Sequence, residues 1–147
     1  MTSGIDRKYD DADWHYGGDF PDDVPIENAS VHIGFYLSWA ARRELLSAFT
    51  KEEAGADLHK VLKRENSPIH LIDLWDGKFL DDMLSDEGNR FSKTYYGSPD
   101  ATYLRDFTET FEKAGMEIYR IDPSWENYDK IEPVLDRRYQ EWRSQAK

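Results

Sequence analysis

A chain of 147 residues, 39% hydrophobic and 14% aromatic, has material for one dense core and no room for a second of ordinary size. Its 30 acidic against 19 basic residues leave a net charge of −11, which repels phosphate backbones, excludes nucleic acid as the expected partner and favours a protein with a basic surface. With no cysteine, disulfide staples and thiolate metal sites are excluded.

The acidic charge is uneven. Residues 1–30 hold eight acids and two bases, a net of −6 and over half the total. Met1 to Asp6 carry no basic stretch followed by an apolar run, so they do not read as a secretory signal, and a reducing cytoplasm is the expected location. The most apolar window, Val31 to Ala41, is interrupted by His32 and Ser38. It falls far short of the roughly 20 residues that cross a bilayer, so no membrane partner is expected.

In chain order, residues 1–10 read as a flexible tail and 11–147 as a single helical domain. The segment DADWHYGGDFP, from Asp11 to Pro21, places Trp14, His15, Tyr16 and Phe20 among acids. Gly17-Gly18 marks a tight turn or a close backbone approach. The segment is expected to be a strap, its rings completing the core and its carboxylates facing out.

A helix is expected from about Asn28 to Phe49, with Asn28 or Ser30 as its cap. Its first half is apolar on most sides, which suits a central helix, and Arg42, Arg43 and Glu44 should reach solvent. Thr50-Lys51-Glu52-Glu53 has the capping-box pattern and opens a second helix ending near Glu65-Asn66. Ser67-Pro68 starts a short helix carrying Ile69, Ile72 and Trp75, closed by Asp76-Gly77. Further helical stretches are expected from Lys78 and from Ser85, where Gly88 would allow close packing.

Gly97-Ser98-Pro99 breaks the chain before the stripe Tyr103, Phe107, Phe111, and Gly115 suits the position beyond a helix end. Met116 to Ile121 reads as a short strand or an extended connector. Trp125, Tyr128, Ile131, Leu135, Tyr139 and Trp142 form a last helical stripe, with a kink or break expected at Pro133. The charged residues Asp136, Arg137, Arg138 and Glu141 read as its solvated face. The fold class is therefore mainly α: a compact single-domain bundle of about six or seven helical segments, with an N-terminal aromatic strap and at most one short strand.

No P-loop, HExxH pair, GxSxG elbow or dinucleotide fingerprint is present, so no catalytic set, cofactor or metal site is assigned. The candidate functional residues are Asp13, Trp14, His15, Tyr16, Asp19 and His32. If the strap folds back over the central helix, two imidazoles and two carboxylates would meet, a set suited to acid–base work or to zinc. The structural alternative is that Asp13 caps a turn, the rings pack, and both histidines hydrogen-bond the strap. Tyr95-Tyr96 and Trp125/Tyr128 are each expected to put at least one ring in the core.

The run Tyr9-Asp10-Asp11-Ala12-Asp13-Trp14-His15-Tyr16-Gly17-Gly18-Asp19-Phe20-Pro21, with His32-Ile33-Gly34 through Trp39, resembles the opening of an uncharacterised domain-of-unknown-function family of small bacterial proteins. Asp86 to Phe91 with Tyr95-Tyr96 resembles its middle motif, and Trp125, Asn127-Tyr128 and Trp142 its end. The resemblance implies a mostly helical domain with no assigned catalytic residues. It also suggests an immunity protein accompanying a toxin. Three functions are therefore carried forward. The first is an acidic immunity or regulatory protein that neutralises a basic partner. The second is a small metal-dependent or acid–base enzyme using the Asp13, His15, Asp19 and His32 region. The third is an adaptor subunit of a larger assembly.

Overall fold

Helix α1 (Val31–Arg42) is the axis of the fold, and every position from Val31 to Ala41 is buried. The structure, a computed structural model, describes residues 8–12, 21–97 and 102–145. The other described elements are strand β1 (Lys8–Asp11), helices α2 (Ala48–Ala54), α3 (Ala56–Leu62) and α4 (His70–Leu74), strand β2 (Lys78–Leu80), and helices α5 (Asp86–Tyr95), α6 (Thr102–Lys113) and α7 (Trp125–Gln145). Short 3-10 turns at Ile26–Ser30, Asp81–Met83 and Ile118–Arg120 connect them. The mainly α class, with seven helices among the described residues, is as expected, and no described helix is long and apolar enough to cross a membrane.

α1 is buried all round: α3, α4 and α7 pack against it, and Ile69, the residue before α4, lies directly over Gly34. Gly34 allows that approach, since a Cβ there would lie 2.6 Å from the Cβ of Ile69. The core is largely aromatic. Phe35 meets Tyr128 edge-on at 5.8 Å, and Tyr36 lies 4.9 Å from Tyr103 and 4.8 Å from Tyr96. The Tyr36 hydroxyl is satisfied by Ser92 Oγ at 2.8 Å, so its ring is buried without an orphaned polar group.

Several boundaries differ from the sequence reading, each for a tertiary reason. α1 stops at Arg42 instead of continuing to Phe49, and Glu44 turns the chain with φ 59°. Leu46 then pairs with Leu84, and the Leu45 carbonyl accepts from Ser85 N at 2.8 Å. Neither Asn28 nor Ser30 caps α1 with its side chain; Asn28 instead donates to the Tyr119 carbonyl at 2.8 Å. The cap of α2 is Ser47, whose Oγ accepts from Thr50 N. Thr50 is buried and donates to the Met83 carbonyl, so the expected capping box does not form. Gly55, with φ 51°, divides the expected second helix into α2 and α3.

The stretch from Lys78 is a strand, because it pairs antiparallel with β1: Lys8 opposite Leu80, Asp10 opposite Phe79, Asp11 opposite Lys78. Residues 8–10, expected in the tail, belong to this sheet. Met116 to Ile121, expected as a short strand or an extended connector, is not a strand: a 3-10 turn at Ile118–Arg120 is flanked by irregular backbone, and the two observed strands lie elsewhere. α7 runs unbroken through Pro133, held by the buried stripe Tyr128, Ile131, Leu135 and Tyr139.

The charges of α7 tie helices together as well as facing solvent. Arg43 grips Asp136 with two nitrogens, each at 2.7 Å, and Arg138 Nε meets Asp106 of α6 at 2.8 Å. Tyr95 of α5 donates to the same Asp106 oxygen at 2.6 Å, so this carboxylate joins three helices. Burial pushes the Asp106 carboxyl upward, but the bonds from Arg138 and Tyr95 outweigh that and hold it below 3.8. A carboxyl depressed in the folded state adds stability above its unfolded value, and that stability is lost as pH falls through the folded value. Asp106→Asn should therefore cost about 1–3 kcal/mol at neutral pH. The deficit, measured by urea unfolding at a series of pH values, should shrink steadily once the pH drops below about 4.

Candidate functional site

The sheet sets the geometry of the region singled out in the sequence. β1 is held at its end by Ala12 N donating to the Gly77 carbonyl at 2.9 Å. Gly77 has φ 79°, and a Cβ there would fall 2.9 Å from Ala12 Cβ, so this turn needs glycine for both conformation and space. Tyr9 packs on Phe79 at 4.9 Å and its hydroxyl donates to Asn89 Oδ1 at 2.7 Å. A register shift between Lys8 and Asp10 accompanies the burial of three successive residues, Tyr9, Asp10 and Asp11.

Asp10 is the centre of a buried polar knot. Its Oδ2 lies 3.0 Å from His32 Nε2 and accepts the Tyr96 hydroxyl at 2.5 Å, while its Oδ1 accepts Asp11 N at 2.8 Å. Tyr103 donates to the His32 carbonyl at 2.5 Å. Asp10 is 5% and His32 2% exposed. Burial, then the Asp10 charge, pushes the Tyr96 phenol far up, so Tyr96 acts as a donor to Asp10. Phe107 approaches the His32 ring edge-on at 5.9 Å and closes its apolar side. This arrangement can hold a proton between Asp10 and His32, and it fixes β1 onto α1.

Of the residues proposed from sequence, His32 is thus placed in the interior. Asp13, Trp14, His15, Tyr16 and Asp19 lie outside the described residues. Asp10, which pairs with His32, was not singled out; its only signal was its place in the Tyr9-Asp10-Asp11 run, which reads as a solvated tail. Tyr95 and Tyr128 are buried in the core, whereas Tyr96 and Trp125 are half-buried. Arg64 lies over the Trp125 ring at 4.6 Å. Among the described residues no group of three or more His, Cys, Asp or Glu is arranged to hold a metal ion. A groove of about 230 Å³ runs between α6 and α7, lined by Glu109, Thr110, Lys113, Val134 and Arg137 beside Asp106.

The described surface has a second notable region at the junction of α2 with the turn before α5. Ser47 Oγ donates to the Asp82 carbonyl at 2.8 Å, and Ser47 N donates to the Met83 carbonyl at 2.9 Å. Gly88 makes the junction tight, since a Cβ there would lie 2.7 Å from the Leu45 carbonyl. Phe49 projects from it, 52% exposed.

Residues 8–121 match the family model described as Domain of unknown function (DUF7832). Neither a curated protein nor a solved structure matches the chain.

Proposed function

We propose that this chain, which belongs to the DUF7832 family, is an acidic protein-binding protein, an immunity or regulatory protein of a bacterium that neutralises a basic partner. The observation that carries this reading is how the fold disposes of its positive charge. Arg42, Arg43, Arg64, Arg120 and Arg138 each meet a carboxylate of the same chain at 2.7–2.8 Å. Glu52, Glu53, Glu65, Asp86, Glu112 and Glu126 are exposed and have no ion-pair partner among the described residues. These five guanidinium groups are occupied internally, whereas Arg90, Arg105, Arg137 and Arg143 are exposed without an ion pair among the described residues, so a partner meets more free carboxylates than free arginines. Such a surface accelerates encounter with a cationic protein and disfavours phosphate-bearing ligands. Exposed pairs contribute little to stability, so the acid excess is poorly explained as a stabilising device.

The test is to tag the protein, purify it from a bacterium that encodes it, and identify what accompanies it at low and at moderate salt. One stoichiometric basic protein, released as salt rises, is the expected result. A clean monomer at low salt overturns the reading. Stoichiometric bound metal would instead favour acid–base or metal chemistry at the Asp13, His15, Asp19 and His32 region.

A further inference from the structure

Helix α2 buries an unusual selection of its residues. Its inward positions are Thr50 and Ala54, 1% and 3% exposed, while its one large apolar residue, Phe49, faces out. An amphipathic helix that served only the core would do the reverse. Phe49 is also held in place. The Leu46–Leu84 bridge, the Ser47 cap and the Thr50 bond to the Met83 carbonyl fix the first turn of α2 on both sides. Turning Phe49 inward would require breaking these contacts. An exposed ring on a fixed turn loses little freedom on binding, which is the property of an interface anchor.

The surroundings of Phe49 state what kind of surface it would meet. Glu52 and Glu53 lie one turn further along α2, on the same side as Phe49, and both are exposed. Glu44 precedes the junction, and Asp82 and Asp86 lie across the bridge from it; all three are exposed. From Glu44 to Ala54 the one positive residue is Lys51, and the segment 81–89 has none. A second copy of this chain would bring like charges together across a two-fold axis, which opposes self-association through this face.

Resting on the reading above, we infer that Phe49 anchors the protein-binding surface, and that its partner is a basic protein segment offering an apolar socket flanked by lysine or arginine. Phe49 supplies buried area, and the surrounding carboxylates select the partner by charge.

The probe is a labelled amphipathic helical peptide of leucine and lysine, followed by fluorescence anisotropy at low and moderate salt. A lysine peptide of equal charge without leucine serves as comparison. The amphipathic peptide is expected to bind more tightly than the lysine peptide. Phe49→Ala should weaken it at least about tenfold. Glu52→Lys with Glu53→Lys should weaken both peptides and flatten the salt dependence. Glu109→Lys with Glu112→Lys, on α6, should change binding of the amphipathic peptide less than either. Melting temperatures of all variants should stay near that of the parent, which separates lost binding from lost folding. If Phe49→Ala binds the amphipathic peptide like the parent, the assigned surface is wrong while the acidic-binding reading stands. If the parent binds neither peptide at low salt, both fail. A parent homodimer that Phe49→Ala dissociates would also overturn the assigned partner.

Discussion

Asp10→Ala is expected to destabilise the protein by about 2–6 kcal/mol, because it leaves two buried donors without an acceptor at about 1–3 kcal/mol each. Two bonds converge on the lost oxygen, from His32 at 3.0 Å and from Tyr96 at 2.5 Å, and both donors are fixed by the helices that carry them. His32 cannot simply turn to water, because it is 2% exposed and sits against Phe107. The cost should appear as a lower urea midpoint with an unchanged slope, since the same core unfolds. His32→Ala alone should also destabilise. The double variant Asp10→Ala, His32→Ala should cost less than the sum of the two, because the groups act as one unit. Simple additivity would mean that the pair contributes nothing beyond its separate packing, and that β1 is held by Tyr9 and the sheet alone.

The helical stripes were legible in the sequence because they depend on nearest-neighbour geometry. Tyr103, Phe107 and Phe111 repeat every four residues, and all three are buried in α6. The Tyr128, Ile131, Leu135 and Tyr139 stripe likewise holds α7 together across Pro133. Gly115, with φ 80° beyond the end of α6, followed from its position alone. The end of α1 was not legible, because nothing local stops a helix at Arg42. It stops because Leu45 and Leu46 gain partners in Ser85 and Leu84, which are distant in sequence. The same cause hid β2, since Lys78, Phe79 and Leu80 become a strand only when β1 lies beside them.

The candidate site was less legible than the fold. His32 was found, but Asp10 was not, because a carboxylate in an acidic run is ordinarily solvated. Its burial rests on Tyr96 and His32, 86 and 22 residues away. Phe49 was expected to close the central helix. Its exposure follows from the register that the Ser47 cap imposes on α2, which turns Thr50 inward in its place. In both cases the informative residue is one whose environment contradicts its type.

Trp39→Ala should have the other large effect, about 3–5 kcal/mol, the usual range for truncating a fully buried tryptophan. Trp39 is 0% exposed, and its ring lies 5.5 Å from Tyr36, 5.6 Å from Tyr139 and 5.7 Å from Phe91. It therefore joins α1 to both α5 and α7, and neither helix can close the space without losing contacts to the other. Its indole nitrogen also donates to Asp136 at 2.9 Å, beside the Arg43 pair. Against a typical domain stability of about 5–15 kcal/mol, the loss is a large fraction of the whole. The melting temperature should fall by roughly 10 °C or more. Trp39→Phe separates the two contributions, since it keeps an aromatic ring and removes the donor. It should cost clearly less than Trp39→Ala, because Arg43 still satisfies the Asp136 carboxylate. Equal losses in the two variants would mean that the indole hydrogen bond, and not the packing of α1 between α5 and α7, fixes this part of the core.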